Sequence, residues 1–387
     1  LRENAAGRRA FKGVNMKVLL AGGGTAGHIN PALAIAGYIK QKQPEAQILF
    51  IGNKTGMEQR LVKNAGYDIK SITISGFQRS LSPKSMVANA KTVKRTFTSS
   101  AEAKKIIAEF APDICIGTGG YVSGPVVRTA AKMGIPCIIH EQNAYPGVTN
   151  KMLSRRVKKV MVAVEAAKKY FENADVVITG NPVRGEILTA DKQKSREKLG
   201  LDERPLVLSF GGSLGAQKVN DAAAELIARS ASDGKYQHIH AYGGNNESFL
   251  ETLNEKGVNL PSCPNLDIRP YIDNMNECMA AADLVICRAG AITLSEIQAM
   301  GKPAILIPSP NVAENHQYHN AMALVNKGAA QLIEESDLSG ETLISTVDSM
   351  LGNPEKLRKI GENCKKMAIT DANERIYSVV KKVLNLV

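Results

Sequence analysis

Tryptophan is absent from these 387 residues, and aromatic residues make up only 5% of the chain. A nucleic-acid surface that stacks bases on rings needs more than that, and no nucleic-acid module is recognisable. Nucleic acid is therefore not an expected partner, despite a formal net charge of +12. Long apolar runs are missing too: Gly, Pro or a charge interrupts each one before the roughly 18 residues of a membrane span. The six cysteines form no CxxC pair, and Cys115, Cys137 and Cys287 sit in apolar, strand-like runs. They read as reduced core hydrophobes of a cytosolic protein. Neither an Asp-x-Asp motif nor a His/Cys cluster with zinc spacing occurs. No metal or other cofactor is expected, and a bound diphosphate would have to be held by other charges.

What is present is enough apolar sequence, 44%, to bury two cores in a chain of this length. Charge is divided unevenly. Through residue 190 there are 28 Lys and Arg against 12 Asp and Glu, a net of +16, and the remainder carries −4. The basic surface thus belongs to the first half and favours an anionic partner. Residues 1–15 lack the apolar core of a signal peptide and precede a Met16 that opens the first strand, so they are expected to be a leader or cloning remnant.

The strongest local signal is Val18-Leu-Leu-Ala-Gly22-Gly-Gly-Thr-Ala-Gly27-His28, an apolar strand running through a glycine turn into a helix. Such a turn aims free backbone N–H groups and a helix N-terminus at one spot, which suits a phosphate. Leu206 to Gly215 repeats the device before a second helical run. Short apolar and longer amphipathic segments alternate in both halves, so the expected fold is α/β: two doubly wound parallel-sheet domains facing a cleft. The hinge is expected near Gly180–Arg184 and the polar stretch 191–204. Gly22 to Gly27 also satisfies GxGxxG, but the next strand ends in Asn53 and Lys54, where a NAD site requires an acid for the ribose. A redox dinucleotide is not expected.

Four further loops end strands with polar residues at positions that open-sheet geometry turns toward the cleft. They are Ile116 to Pro125 with Tyr121 and Ser123, Ile139-His140-Glu141-Gln142-Asn143, Cys287 to Glu296, and Pro308 to Gln317. His28, at the mouth of the first glycine loop, is one candidate base, since an imidazole can take up and give back a proton; Glu141 is the other. Glu296 is either a ribose ligand or a first-turn acid that complements a helix dipole.

Seven ordered motifs, Gly-Gly-Thr-Ala-Gly-His, Gly-Gly-Tyr-Val-Ser-Gly-Pro, His-Glu-Gln-Asn, Gly-Asn-Pro-Val-Arg, Gly-Gly-Ser-Leu-Gly-Ala, Cys-Arg-Ala-Gly-Ala-Ile-Thr-Leu-Ser-Glu and Asn-His-Gln-Tyr, together resemble the MurG family of peptidoglycan N-acetylglucosaminyltransferases. The resemblance covers essentially everything after Met16. It implies a GT-B fold and inverting transfer of N-acetylglucosamine from UDP-N-acetylglucosamine to the 4-hydroxyl of lipid I, giving lipid II. It implies a first, acceptor- and membrane-binding domain over 16–183 and a donor domain over 184–367. A final helix, about 368–387, would pack back onto the first domain.

Carried over residue by residue, the donor would meet Thr25, Ala26, Gly27, Asn143, Arg184, Ser213, Ile272 and Gln317, together with Ala291, Ile292, Thr293, Leu294, Ser295 and Glu296. Ser213 would donate to the diphosphate, the Ile272 backbone would read the uracil edge, and Gln317 would bond the sugar hydroxyls. Arg184 would lie against the donor, or else form a hinge salt bridge. Gly24, Gly27, Tyr121 and Ser123 would bind the acceptor. Ala26 stands where many relatives have another glycine, which adds a methyl near the acceptor phosphates.

A lipid-borne acceptor implies a peripheral enzyme at the cytoplasmic face of the membrane. Segment 75–97, with Phe77, Leu81, Met86 and Phe97 among Arg79, Lys84, Lys91, Lys94 and Arg95, suits docking on an anionic membrane surface; a basic helix over an ordinary core face has the same composition. Two alternatives stay open at this point: another GT-B enzyme, such as a nucleotide-sugar epimerase or glycolipid synthase, and a non-catalytic nucleotide-sugar-binding module.

Overall fold

Strands that are apolar on both faces have to lie inside a sheet covered from both sides, and the computed structural model, which describes residues 15–75, 98–244 and 246–386, has two such sheets. The first contains β1 (Lys17–Gly22), β2 (Gln47–Asn53), β3 (Asp68–Ile72), β4 (Ile114–Gly119), β5 (Cys137–Glu141), β6 (Lys159–Val162) and β7 (Val176–Ile178), in the order β3-β2-β1-β4-β5-β6-β7. The second contains β8 (Leu206–Phe210), β9 (Gln237–Ala241), β10 (Leu266–Arg269), β11 (Leu284–Cys287), β12 (Ala304–Leu306) and β13 (Gln331–Leu332), in the order β10-β9-β8-β11-β12-β13. All pairings are parallel; Val18 stands opposite both Ile48 and Ile114, and Val207 opposite His238 and Leu284. In each sheet the strand order reverses beside the first strand, between β1 and β4 and between β8 and β11. Loops diverge there at the carboxyl ends of the strands and leave a crevice.

Helix Ala26–Lys42 buries Ile29, Ala32, Ile35, Ala36 and Ile39, a stripe of helical spacing that lies on the first sheet. The same core takes in Ile376, Tyr377, Val379 and Val380 of helix Ala372–Val383, so the end of the chain completes the lobe that its beginning built. Tyr38 donates to Glu374, Lys42 pairs with Glu374 at 3.4 Å, and Gln43 Nε2 donates to Tyr377 Oη at 3.1 Å.

The polar stretch 191–204 is not a free linker. It includes helix Lys192–Lys198, and Asp283 ties it to the second sheet by accepting from Arg196 at 3.2 Å and from the Leu206 backbone at 2.8 Å. All six cysteines are free thiols. No helix among the described residues is long and apolar enough to cross a membrane. Segment 75–97, apart from Ser75, lies outside the described residues.

Candidate active site

The first lobe offers a helix start with nothing covering it. Thr25 precedes helix Ala26–Lys42 in extended backbone, its side chain caps no N–H, and the first turn has no acid. The N–H groups of His28 and Ile29 both reach Thr25 O, at 3.1 and 3.2 Å, so those of Ala26 and Gly27 are the free ones. The loop after β4 touches this turn. Gly120 has φ +77°, and a Cβ there would stand 2.1 Å from Gly23 O, so only glycine permits the approach.

The His28 ring fills the remaining gap. Its Nδ1 donates to the Thr118 carbonyl at 3.1 Å. A carbonyl only accepts, so this bond places the proton on Nδ1 and leaves Nε2 as the basic nitrogen. Thr118 O also receives Gln142 Nε2 at 3.0 Å, and Gln142 Nε2 contacts His140 Nδ1 at 3.1 Å. His140 itself is buried, which pushes its pKa down and keeps the ring neutral.

Several expected site residues do other work. Glu141 is buried, and both its oxygens are taken: Oε1 accepts from Asn143 N and Nδ2, each at 3.0 Å, and Oε2 from Gly147 N at 3.1 Å and Asn150 Nδ2 at 2.9 Å. It staples the loop after β5, with both oxygens bonded within the protein. Ser123 is fully buried. Tyr121 packs its ring against Gly24 and accepts from Asn53 Nδ2 at 3.2 Å, supporting the loop from behind. The Gly24 N–H points inward to Glu58 Oε2 at 3.4 Å. Glu58, fully buried, also accepts from Asn53 N at 2.7 Å. At this helix start, Ala26 and Gly27 are therefore the backbone donors that line the cleft.

The second lobe repeats the arrangement. Gly215 has φ +75°, and a Cβ there would lie 2.2 Å from Tyr242 O; its loop presents Ser213 to the cleft. After β11, helix Ala291–Met300 starts at Gly290 with no side-chain cap and no first-turn acid. Leu294 N already reaches Gly290 O at 3.0 Å, which leaves Ala291, Ile292 and Thr293 as donors. Leu294 itself is a core residue. Ser295 is occupied as well: its Oγ donates to Ala291 O and accepts from Asn181 Nδ2, both at 3.0 Å. The Leu294 N–H and the Ser295 hydroxyl are thus both bonded within the protein.

Glu296 is buried one turn along that helix, with Arg184 Nε and Nη2 each 3.0 Å from its Oε1. Burial raises the Glu296 pKa and the guanidinium opposes the rise. Ile272 lies below this pair, and Gln317 Oε1 accepts from Ser309 N at 2.9 Å.

Between the lobes lies a cavity of about 1020 Å³ lined by Thr25, Gly27 and His28 on one side and Ser213, Ala291 and Gln317 on the other. A neighbouring cavity of about 650 Å³ is lined by Arg184, Ile272 and Glu296, and Ala26 and Gly27 reach it from the first lobe. Asn143 also lines the larger space.

Two buried amides hold the lobes at this separation. Asn320 Oδ1 accepts from Ala144 N at 2.8 Å, while its Nδ2 donates to Asn143 Oδ1 at 3.1 Å and Ala289 O at 3.2 Å. Asn181 Nδ2 lies 3.2 Å from Gln142 O and 3.3 Å from Ala291 O. Beside them the Tyr145 and His319 rings stack at 5.0 Å. Asn320, Tyr145 and Glu58 were not among the expected site residues; a polar residue on the inner face of an amphipathic helix was the one signal that could have marked Asn320. Among the described residues no group of three or more His, Cys, Asp or Glu could hold a metal ion.

Comparison with known proteins agrees with this geometry. The model of the glycosyltransferase family 28 N-terminal domain matches residues 18–162, and that of its C-terminal domain matches residues 206–376. A protein of Acetivibrio thermocellus named UDP-N-acetylglucosamine–N-acetylmuramyl-(pentapeptide) pyrophosphoryl-undecaprenol N-acetylglucosamine transferase is 49% identical over 95% of this chain and 98% of its own length. A Bacillus cereus protein of the same name, numbered 1, is 46% identical over 95% of this chain and the whole of its own. Among solved structures, Acinetobacter baumannii MurG superposes with a TM-score of 0.75 at 29% identity, covering 95% of this chain and 99% of that one. The S. aureus MnaA–UDP co-structure, at 13% identity and a TM-score of 0.67 over 97% and 98% of the two chains, shares the fold.

Proposed function

The chain belongs to glycosyltransferase family 28, among its MurG-type members, and we propose on that footing how its cleft carries out their reaction. It transfers N-acetylglucosamine from UDP-N-acetylglucosamine to lipid I, forming lipid II in peptidoglycan synthesis.

The donor lies on the second lobe. Uracil sits against the Ile272 backbone, and Glu296, whose ionised form Arg184 favours against the effect of burial, accepts from both ribose hydroxyls. The diphosphate rests on the N–H groups of Ala291, Ile292 and Thr293 and on Ser213, where the helix dipole favours negative charge. Gln317 and Asn143 contact the sugar, and Thr25, Ala26 and Gly27 close over it from the first lobe, which holds the acceptor.

His28 Nε2 removes the proton of the acceptor 4-hydroxyl as that oxygen bonds to the anomeric carbon. The carbon–oxygen bond to UDP breaks on the opposite side, its electron pair leaves with the β-phosphate, and configuration inverts. The developing charge falls on the helix N-terminus already in place, which needs no reorganisation. Helix termini and Ser213 supply this stabilisation, so no divalent ion is required.

The observation that carries this reading is that His28 and the uncapped start of helix Ala291–Met300 line one cavity from opposite lobes. Membrane attachment is peripheral, on the cytoplasmic face. In support, Val148 and Met152 are 56% and 63% exposed beside Lys151, Arg155 and Arg156, an apolar tip in a basic collar that suits anionic headgroups.

The test is release of UDP from radiolabelled UDP-N-acetylglucosamine with and without a soluble lipid I analogue. Release that depends on the analogue, with the label in a disaccharide product, is expected. Tight binding of UDP without analogue-dependent release would mean a binding module, and release with a different acceptor alone would mean another GT-B activity.

A further inference from the structure

The cleft does not end at its catalytic centre. The cavity of about 1020 Å³ and a second one of about 320 Å³ share Lys218 and Glu335 in their walls, so they form one groove leading from His28 outward over the second lobe past Tyr318 and Glu334. The chemistry of the acceptor requires such an exit. A muramyl sugar carries its peptide on a lactyl ether at O3, on the carbon next to the one that bears the attacking O4, so the peptide begins only about six bonds from the reacting atom and must leave the cleft close to it. The other side of the cleft, lined by Ile272, Arg184 and Glu296, is filled by the nucleoside in the reading given above.

We propose that the groove past Lys218 is the binding site for the pentapeptide of the acceptor, with Lys218 receiving a peptide carboxylate; this rests on the transferase reading. The charges in the groove match such a ligand. Arg288 is neutralised by its ion pair with Glu335, both largely buried, and is anchored further on Ile307 O at 3.2 Å and Pro308 O at 3.3 Å. Lys218 is exposed, at the start of helix Gln217–Asp233, and makes no ion pair among the described residues; Glu334, also exposed, lines the same cavity. One open cation and one open anion in a single groove fit a peptide with both kinds of group, whereas a phosphate would be repelled by Glu334.

The rim is held in an uncommon conformation. Glu314 and Asn315, which line the larger and the smaller cavity respectively, both have left-handed backbone at φ +52° and +47°. Consecutive non-glycine residues in that region cost free energy, and such conformations cluster at ligand clamps. An extended pentapeptide spans about 17 Å, enough to follow the groove out of the cleft.

The test compares two soluble lipid I analogues, one with the full pentapeptide and one ending at the lactyl carboxylate, in the wild type, Lys218→Glu and Tyr318→Ala. Both substituted residues lie at the surface of the groove, so folding is retained, and a melting curve verifies it. The wild type is expected to favour the pentapeptide analogue in kcat/KM by at least about fivefold, a salt-sensitive margin of the size an exposed carboxylate–ammonium contact with added hydrogen bonds supplies. Lys218→Glu should reduce that preference to within about twofold, and Tyr318→Ala should lower it. No preference in the wild type, or a preference unchanged in Lys218→Glu, would overturn the groove assignment while leaving the transferase reading standing. Absence of UDP release with either analogue in the wild type would overturn the transferase reading, and this proposal with it.

Discussion

Arg184→Ala is the perturbation whose effect follows most fully from the structure. Glu296 is 7% exposed in its side chain, and burial raises its pKa; the opposing influence is the guanidinium, whose Nε and Nη2 both stand 3.0 Å from Oε1. Removing Arg184 leaves burial unopposed, so the pKa rises further. A protonated carboxyl has exchanged an acceptor site for a donor and lost its charge, so it accepts from the ribose hydroxyls more weakly than a carboxylate does.

A hydrogen bond to a charged group contributes about 1.5–3 kcal/mol. Arg184 is itself 52% exposed, so solvent screening reduces its share to about 1–2 kcal/mol. UDP should then bind about 5–30-fold more weakly. The sign of the pH dependence is fixed as well: Glu296 binds more tightly when ionised, so affinity falls as pH is lowered through its pKa, and in Arg184→Ala that fall begins at higher pH than in the wild type. Titration calorimetry with UDP from pH 6 to 8.5, in buffers of differing ionisation enthalpy, measures both the affinity and the proton released on binding. Glu296→Gln should weaken UDP to a similar degree with no such proton release, and the double variant should be far less than additive. Wild-type affinity and a flat pH response in Arg184→Ala would refute the coupling.

Further outcomes follow from other parts of the molecule. Ser209 Oγ bonds His238 Nε2 and His240 Nδ1, each at 2.7 Å, while the outer nitrogens of both buried rings have no partner among the described residues. Burial lowers the His238 pKa well below 6.5 and that of His240 to about 3. Stability is therefore full above about pH 6.5 and is lost as pH falls below it, by up to about 1.4 kcal/mol per pH unit per histidine. Urea midpoints that stay flat from pH 6.5 to 4.5 would contradict this. Asn320→Asp turns two donated bonds at the lobe junction into oxygen–oxygen contacts; kcat should fall at least about tenfold while UDP affinity holds, and an unchanged kcat would remove the amide from the account. Lys151, Arg155 and Arg156 changed together to Glu should weaken binding to anionic vesicles in a salt-sensitive manner, with unaltered partition as the contrary result. Chelation of divalent ions should leave at least part of the activity, and complete, reversible loss would show that a metal helps to hold the diphosphate.

The fold was legible where the sequence pattern is local. Lys17–Gly22 and Leu206–Phe210 are the strands that their apolar runs suggest, and each glycine turn falls where its strand ends. Val176–Ile178 and Gln331–Leu332 escaped because strands of three and two residues carry no readable period. At the site, residue types were readable and their partners were not. Sequence shows that Glu141 is an acid after a strand, but not that Asn143, Gly147 and Asn150 turn four donors onto it. The same limit applies to Glu58, which reaches back 34 residues to Gly24, and to Asn320, which bonds a loop 176 residues away. Such contacts exist only once the lobes are assembled. The stretch 191–204 misleads in the opposite direction: its polarity resembles a linker, yet its charges are spent on Asp283 and Glu277 of the second lobe.

The central claim is that His28, with its tautomer fixed by Thr118 O, is the base that faces a donor held on the opposite lobe. The most direct measurement is the pH dependence of kcat/KM for the soluble acceptor in the wild type and in His28→Gln, at saturating UDP-N-acetylglucosamine. A falling limb at acid pH in the wild type, absent from a variant slowed by about 10²–10⁴ that still binds UDP normally, is the result expected. Near-normal turnover in His28→Gln, with the acid limb intact, would place the base elsewhere.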